Sequence, residues 1–258
     1  MPEAAGIAYA TSAGGSSNGG LPFVLVHGAG GSRLHWPAEL RRMEGRTVYA
    51  IDLPGHGRSS GSTSNTIEGY AAQVALWMEA VDLPPAVVIG HSMGGAISQL
   101  LASNHRAKLA GMVLIGTGQQ LPVNPSLLEF TSSADTFPKA AELILKWQFS
   151  RQVDPTLVSM AADEMQALHH SVMHDDLTAC NKFDHTRRAQ EKGLGGLPAL
   201  VICGQDDKMT PLSMNQDLAD ALPGANLVTI PSAGHMVMLE KPAEVAVAIK
   251  AFLESNGL

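Results

Sequence analysis

The chain has 258 residues, 45% of them hydrophobic and 16% charged, with a formal net charge of −7. That length is compatible with one large α/β domain and an extensive core, and an acidic balance without a basic run or stripe argues against a nucleic-acid partner. Two cysteines, Cys180 and Cys203, stand far apart without metal-ligand spacing, which argues against a disulfide framework and fits a reducing compartment. The first residues lack the basic stretch and long apolar core of a secretory signal. No apolar run reaches the ~18 residues of a membrane span. The expectation is a soluble, cytoplasmic protein with no membrane span.

In chain order, Ile7 to Thr11 reads as a short edge strand and Gly14 to Gly20 as a turn. Phe23 to Val26 is a continuous apolar run, the pattern of a strand buried on both faces, and it ends in His27-Gly28-Ala29-Gly30-Gly31. Trp36 to Met43 is predicted to be helical with Pro37 in its first turn. Thr47 to Ile51 is the next buried strand and leads into Asp52-Leu53-Pro54-Gly55-His56-Gly57-Arg58-Ser59. Asn65 or Thr66 caps a helix over Ile67 to Val81. Pro84-Pro85 then precedes the apolar run Val87-Val88-Ile89, which meets Gly90-His91-Ser92-Met93-Gly94-Gly95. A helical pattern (Ala96, Ile97, Leu100, Leu101) follows at once, and Met112 to Ile115 is another buried strand.

This alternation implies an α/β fold, a mostly parallel sheet with helices on both faces. The rhythm breaks between Gln119 and Gly196, where amphipathic helices are separated by Pro122, Pro125, Pro138 and Pro155. Leu143, Ile144 and Trp147 form one apolar stripe there, and Leu157, Met160, Met165 and Leu168 another. Ala199 to Cys203 resumes the sheet, Leu212 to Leu222 is helical, Asn226 to Ile230 is the last strand and Ala243 to Glu254 the closing helix. The expected organisation is an α/β core over 1–118 and 197–258, interrupted by a helical cap over 119–196. Such a cap would cover the carboxyl ends of the strands, where ligands bind in open α/β sheets.

Gly-x-Ser-x-Gly between a strand and a helix holds a serine hydroxyl on a strained corner above the sheet, with helix N-terminal N–H groups beneath it. Side chains at Gly90 or Gly94 would collide with the neighbouring backbone. A hydroxyl becomes a nucleophile only when a base takes its proton and a third group orients the base. His235 follows the last strand as the candidate base, and Asp206 or Asp207, after the Ala199–Cys203 strand, supplies the acid. Serine, acid, histidine is the chain order that this elbow arrangement uses. The backbone N–H groups of Met93 and Ala29 are the expected oxyanion donors.

With these motifs in place the chain resembles the α/β-hydrolase superfamily over essentially its whole length. The matching residues are His27-Gly28-Ala29-Gly30, Asp52-x-Pro54-Gly55-x-Gly57-x-Ser59, Gly90-His91-Ser92-Met93-Gly94-Gly95, Gly204-x-x-Asp207-x-x-x-Pro211 and Gly234-His235. Within it the chain is similar to small capped serine carboxylesterases and non-haem haloperoxidase-type esterases. The resemblance implies Asp207 rather than Asp206 as the acid and a small-molecule ester substrate of small to medium acyl chain, with no cofactor and no metal. Ser92 disfavours the relatives that carry aspartate at the nucleophile position, the dehalogenases and epoxide hydrolases. The same triad also serves carbon–carbon bond hydrolysis, lactone or carrier-bound methyl-ester cleavage and perhydrolysis, and the fold also serves small-molecule receptors. A carbon–carbon hydrolase calls for basic groups near a dienoate carboxylate, and Lys146, Arg151 and Lys182 are scattered along the chain.

Of the remaining polar residues, His27 and His91 are expected to orient loops by hydrogen bonding, and His56 with Arg58 to tie down the loop after Asp52. His169, His170, His174, Asp175, Asp176 and His185 include an i, i+4 histidine pair, but with no fixed third ligand they read as a polar cap surface rather than a zinc site. Met160, Met165 and Met173 are expected mainly to pack, with some lining an acyl pocket.

Overall fold

A computed structural model describes residues 1–13, 20–186 and 196–258. Its eight strands are β1 (Glu3–Ala4), β2 (Ile7–Ala13), β3 (Phe23–Val26), β4 (Thr47–Ile51), β5 (Ala86–His91), β6 (Leu109–Ile115), β7 (Ala199–Gly204) and β8 (Asn226–Ile230). They form one sheet in the order β1-β2-β4-β3-β5-β6-β7-β8. β1 with β2 and β2 with β4 are antiparallel, and the other five pairings are parallel. The predicted strand at Ile7 is thus covered by the short β1 instead of forming the edge. The predicted Gly14–Gly20 turn lies, but for Gly20, outside the described residues.

Alternate residues of the central strands feed two cores, as the twofold pleat requires. Val24, Val26, Val88, Leu114 and Val201 face α2 (Ile67–Ala80), α3 (Met93–Asn104) and the helix Leu212–Ala221. Phe23, Leu25, Val87, Ile89 and Ile202 face the opposite way, onto Trp36, Leu40 and the closing helix Pro242–Asn256. Each of these fully buried aliphatics contributes about 1.5–3 kcal/mol by leaving water. Thr66 caps α2, its hydroxyl accepting from the Gly69 N–H at 3.2 Å.

Helix α1 spans only Ala38–Arg41, a single turn instead of the predicted Trp36–Met43. Trp36 precedes a proline, which disfavours the helical region, and it is extended at φ −96°, ψ 125°. Pro37 therefore caps the turn instead of entering it.

Between β6 and β7 the described residues form four helices, α4 (Pro125–Thr131), α5 (Phe137–Gln148), α6 (Pro155–Ala167) and α7 (His170–Lys182). Pro125, Pro138 and Pro155 sit in the first turns of α4, α5 and α6, where a missing N–H has no intrahelical acceptor to lose. Leu127, Phe137, Ile144, Met165, Met173 and Leu177 make a separate small core here. Residues 187–195 of the predicted cap are outside those described.

Candidate active site

Ser92 links β5 to α3 at φ 52°, ψ −116°, a left-handed conformation that a non-glycine residue holds at a cost of about 1–3 kcal/mol. Its N–H donates to Ile115 O at 2.9 Å, and Thr117 Oγ1 donates to its carbonyl at 2.9 Å, so β6 and the loop after it pin the corner. The glycines are required by space. A Cβ on Gly90 would stand 2.2 Å from Gly94 O, and one on Gly94 2.1 Å from Val26 O.

The candidate acid and the candidate base meet. Asp207 leaves β7, His235 follows β8, and His235 Nδ1 donates to Asp207 Oδ2 at 2.9 Å. Asp207 Oδ1 accepts the Met209 and Thr210 N–H groups, and Oδ2 also accepts the Thr210 hydroxyl, each at 2.8 Å. Burial alone pushes this carboxyl up, but His235 and the Thr210 hydrogen bonds outweigh it and hold Asp207 below the ordinary carboxylate value. Asp206, the other acid considered, is exposed.

His91 supports His235 from below, its Nε2 donating to His235 O at 3.0 Å. Burial, then the neighbouring His235, drives His91 well below the usual histidine value and keeps it neutral. Glu240 accepts the Gly234 N–H at 2.8 Å and the Ser150 N–H at 3.1 Å, bracing the histidine loop.

Ser92 and His235 line the same cavity. Among the described residues Ser92 Oγ makes no hydrogen bond to the ring, a contact that hydroxyl–imidazole pairs of this kind often close only once a ligand is in place. This cavity, of about 110 Å³, is walled by Leu157, Met160, Met165 and Met173 among others. A second, of about 360 Å³, opens from Ser92 and Ala29 toward Leu121, Val123, Leu127, Trp147 and Lys208. Met160, Met165 and Met173 thus line the same cavity as Ser92 and His235. Lys146, Arg151 and Lys182 line neither cavity, whereas Lys208, which sequence reasoning passed over, lines the second. Cys180 lines that second cavity too, but burial raises its thiol far above neutral pH, and Cys203 is pushed up to about 12.

The loop of Ala29 is held from both sides. His27 accepts the Leu53 N–H on Nε2 at 3.0 Å, so Nδ1 carries the proton and donates to Gly28 O at 2.8 Å. That carbonyl shares a peptide plane with the Ala29 N–H. Neither Ala29 N–H nor Met93 N–H donates to another described residue. The loop after Asp52 is tied through Arg58 N to Asp52 Oδ2 at 3.0 Å and through His56 Nδ1 to Pro54 O at 3.0 Å.

The supposed polar surface of the cap needs correcting. Asp176 and His185 are fully buried, and His170 and His174 instead reach Thr131 on α4, each at 3.1 Å. Asp176 accepts three hydrogen bonds from the core: Gly30 N–H at 2.8 Å, His56 Nε2 at 2.7 Å and the Tyr70 hydroxyl at 2.5 Å. Met173, Asp176, Leu177 and Cys180 recur at i, i+3, i+4 and i+7, and this apolar-face spacing was the available sign that Asp176 points inward.

A model of the alpha/beta hydrolase fold matches residues 22–242. A dihydrolipoyllysine-residue acetyltransferase component of an acetoin cleaving system from Pseudomonas putida is 31% identical over 251 residues, which are 92% of this chain and 65% of that protein. This chain thus spans just under two thirds of that relative's length. The 2-hydroxymuconate semialdehyde hydrolase of Pseudomonas sp. (strain CF600) is 25% identical over 92% of this chain and 88% of its own. Among solved structures, a thermophilic esterase superposes with a TM-score of 0.82 at 31% identity, covering 97% of this chain and 99% of that one.

Proposed function

The chain belongs to the alpha/beta hydrolase family, and from that premise we propose that it cleaves carboxylic esters of small to medium acyl chain through Ser92, His235 and Asp207. The observation that carries this reading is the strained Ser92 corner opening into one cavity with a His235 already oriented by a buried, ionised Asp207. His235 takes the proton of Ser92 Oγ as that oxygen adds to the ester carbonyl carbon. The resulting oxyanion rests on the Ala29 and Met93 N–H groups, where each donor contributes about 3 kcal/mol to the transition state. His235 then passes its proton to the departing alcohol, leaving an acyl group on Ser92. Water, deprotonated by the same imidazole, releases the acid and restores the serine. Asp207 fixes the ring tautomer and stabilises the imidazolium.

Residues 119–196 act in this reading as the cap that shapes the substrate space. The apolar character of both cavities supports an uncharged ester over a dienoate, because among the described residues Lys208 is the one lysine or arginine lining them. Hydrolysis of p-nitrophenyl acetate and butyrate tests the assignment. Wild-type enzyme should turn both over and carry a trapped acyl group on Ser92 by mass spectrometry. Full activity in Ser92→Ala would remove Ser92 from the chemistry.

A further inference from the structure

We propose that Asp176 is a positioning residue for ester cleavage: from α7 it holds the Gly30 N–H and so sets the pose of the loop that presents Ala29 to the oxyanion. The inference rests on the esterase reading above and adds to it a residue of the helical region. Gly30 sits at φ 62°, a conformation that a side chain would strain and that glycine leaves open to several alternatives. The loop packs closely against α7 at this point, for a Cβ on Gly30 would lie 2.4 Å from Met173 Cε and 2.8 Å from Leu168 Cδ2. Met173 and Asp176 stand one turn apart on the same face of α7, so the side that presses on the loop also supplies its acceptor.

The three donors around Asp176 come from three segments. Gly30 belongs to the loop after β3, His56 to the loop after β4 and Tyr70 to α2. His56 itself faces acceptors on both nitrogens, the Pro54 carbonyl and the Asp176 carboxylate, an arrangement that favours the doubly protonated ring. A charged acceptor makes the stronger hydrogen bond to Gly30. With the His27 bond to Gly28 O, it fixes the two successive peptides on either side of Ala29. An error of about an ångström in such a donor costs on the order of a hundredfold in rate.

The test compares Asp176→Ala and Asp176→Asn with wild type on p-nitrophenyl butyrate, with Ser92→Ala alongside. A second readout is the affinity of a trifluoromethyl ketone, whose serine adduct places an oxyanion where the ester's would form. Asp176→Ala should lose about 10- to 100-fold in kcat with KM within about threefold, and inhibitor affinity should fall in parallel with kcat. Asp176→Asn should recover most of both, since its amide oxygen still accepts from Gly30 while its amide nitrogen donates to the Tyr70 oxygen. Should Asp176→Ala not fold, Asp176→Leu with His56→Leu fills the same volume without stranding a charge, and the same loss is expected. Wild-type kcat and inhibitor affinity in a folded variant lacking the acceptor would overturn the proposal, as would an equal loss in Ala and Asn. Retained turnover in Ser92→Ala would instead sink the esterase reading, so the two failures are separable.

Discussion

Two buried aspartates carry the contrast between the strand-end loops and the helices above them. Asp207 is satisfied mostly by its own loop, with Met209 and Thr210 donating three of its four hydrogen bonds from within three residues, and only His235 comes from afar. Asp176 has no such local donor among the described residues, and its three partners there lie 146, 120 and 106 residues away. The first carboxylate is preorganised by nearby chain and gives one bond to His235, its partner in the proposed chemistry. The second joins segments that would otherwise be independent. A charge can therefore be placed for reaction by local sequence, whereas a charge that joins regions depends on the whole fold.

The contrast is sharpest in catalysis. Asp207→Asn should lower kcat by about 10⁴, since the wrong imidazole tautomer is then stabilised, with the fold intact by circular dichroism. A loss under tenfold would mean that His235 is oriented by something else. In stability the order should reverse. Asp176→Ala leaves Gly30 N–H, His56 and Tyr70 without their acceptor, and breaking a buried pair of this kind costs about 3–5 kcal/mol, whereas Asp207→Asn should cost about 1–3 kcal/mol. Urea unfolding of the two variants checks the ranking, and equal losses would dissolve the distinction.

The smallest expected effect is a pH dependence. Burial works against the charge on His56, but the Asp176 charge and hydrogen bond outweigh it and raise His56 above its usual value. A base whose folded value is raised adds stability that is complete below the unfolded value near 6.5 and is lost as pH rises through the folded value. The stability advantage of wild type over His56→Gln should thus be largest at pH 6 and shrink toward pH 9, in urea titrations at each pH. An advantage that grows with pH would contradict the ion pair.

The same division explains what could be read in advance. Ser92, Asp207 and His235 announce themselves because each sits beside glycines or a strand end whose local geometry leaves few alternatives. The buried strands did so through continuous apolar runs. Asp176 hid among His174 and Asp175, residues that look like a solvated helix face, because its partners among the described residues all lie more than a hundred positions away. Glu240 and Lys208 escaped notice because their value lies in what approaches them through space, and Thr210 because its hydroxyl's bond to the nearby Asp207 leaves no mark in the sequence pattern. The shortened α1 was legible in principle from the extended conformation that Pro37 imposes on Trp36.

The bonds of Asp176 also bear on engineering by transplantation. Helices grafted from a relative onto these strands must bring a carboxylate to the place of Asp176. Without it, three core donors, Gly30 N–H, His56 Nε2–H and the Tyr70 hydroxyl, are left without their acceptor, at about 1–3 kcal/mol each. A chimera designed on shape and hydrophobicity alone would carry that deficit in the recipient half, where the donor's sequence gives no warning of it.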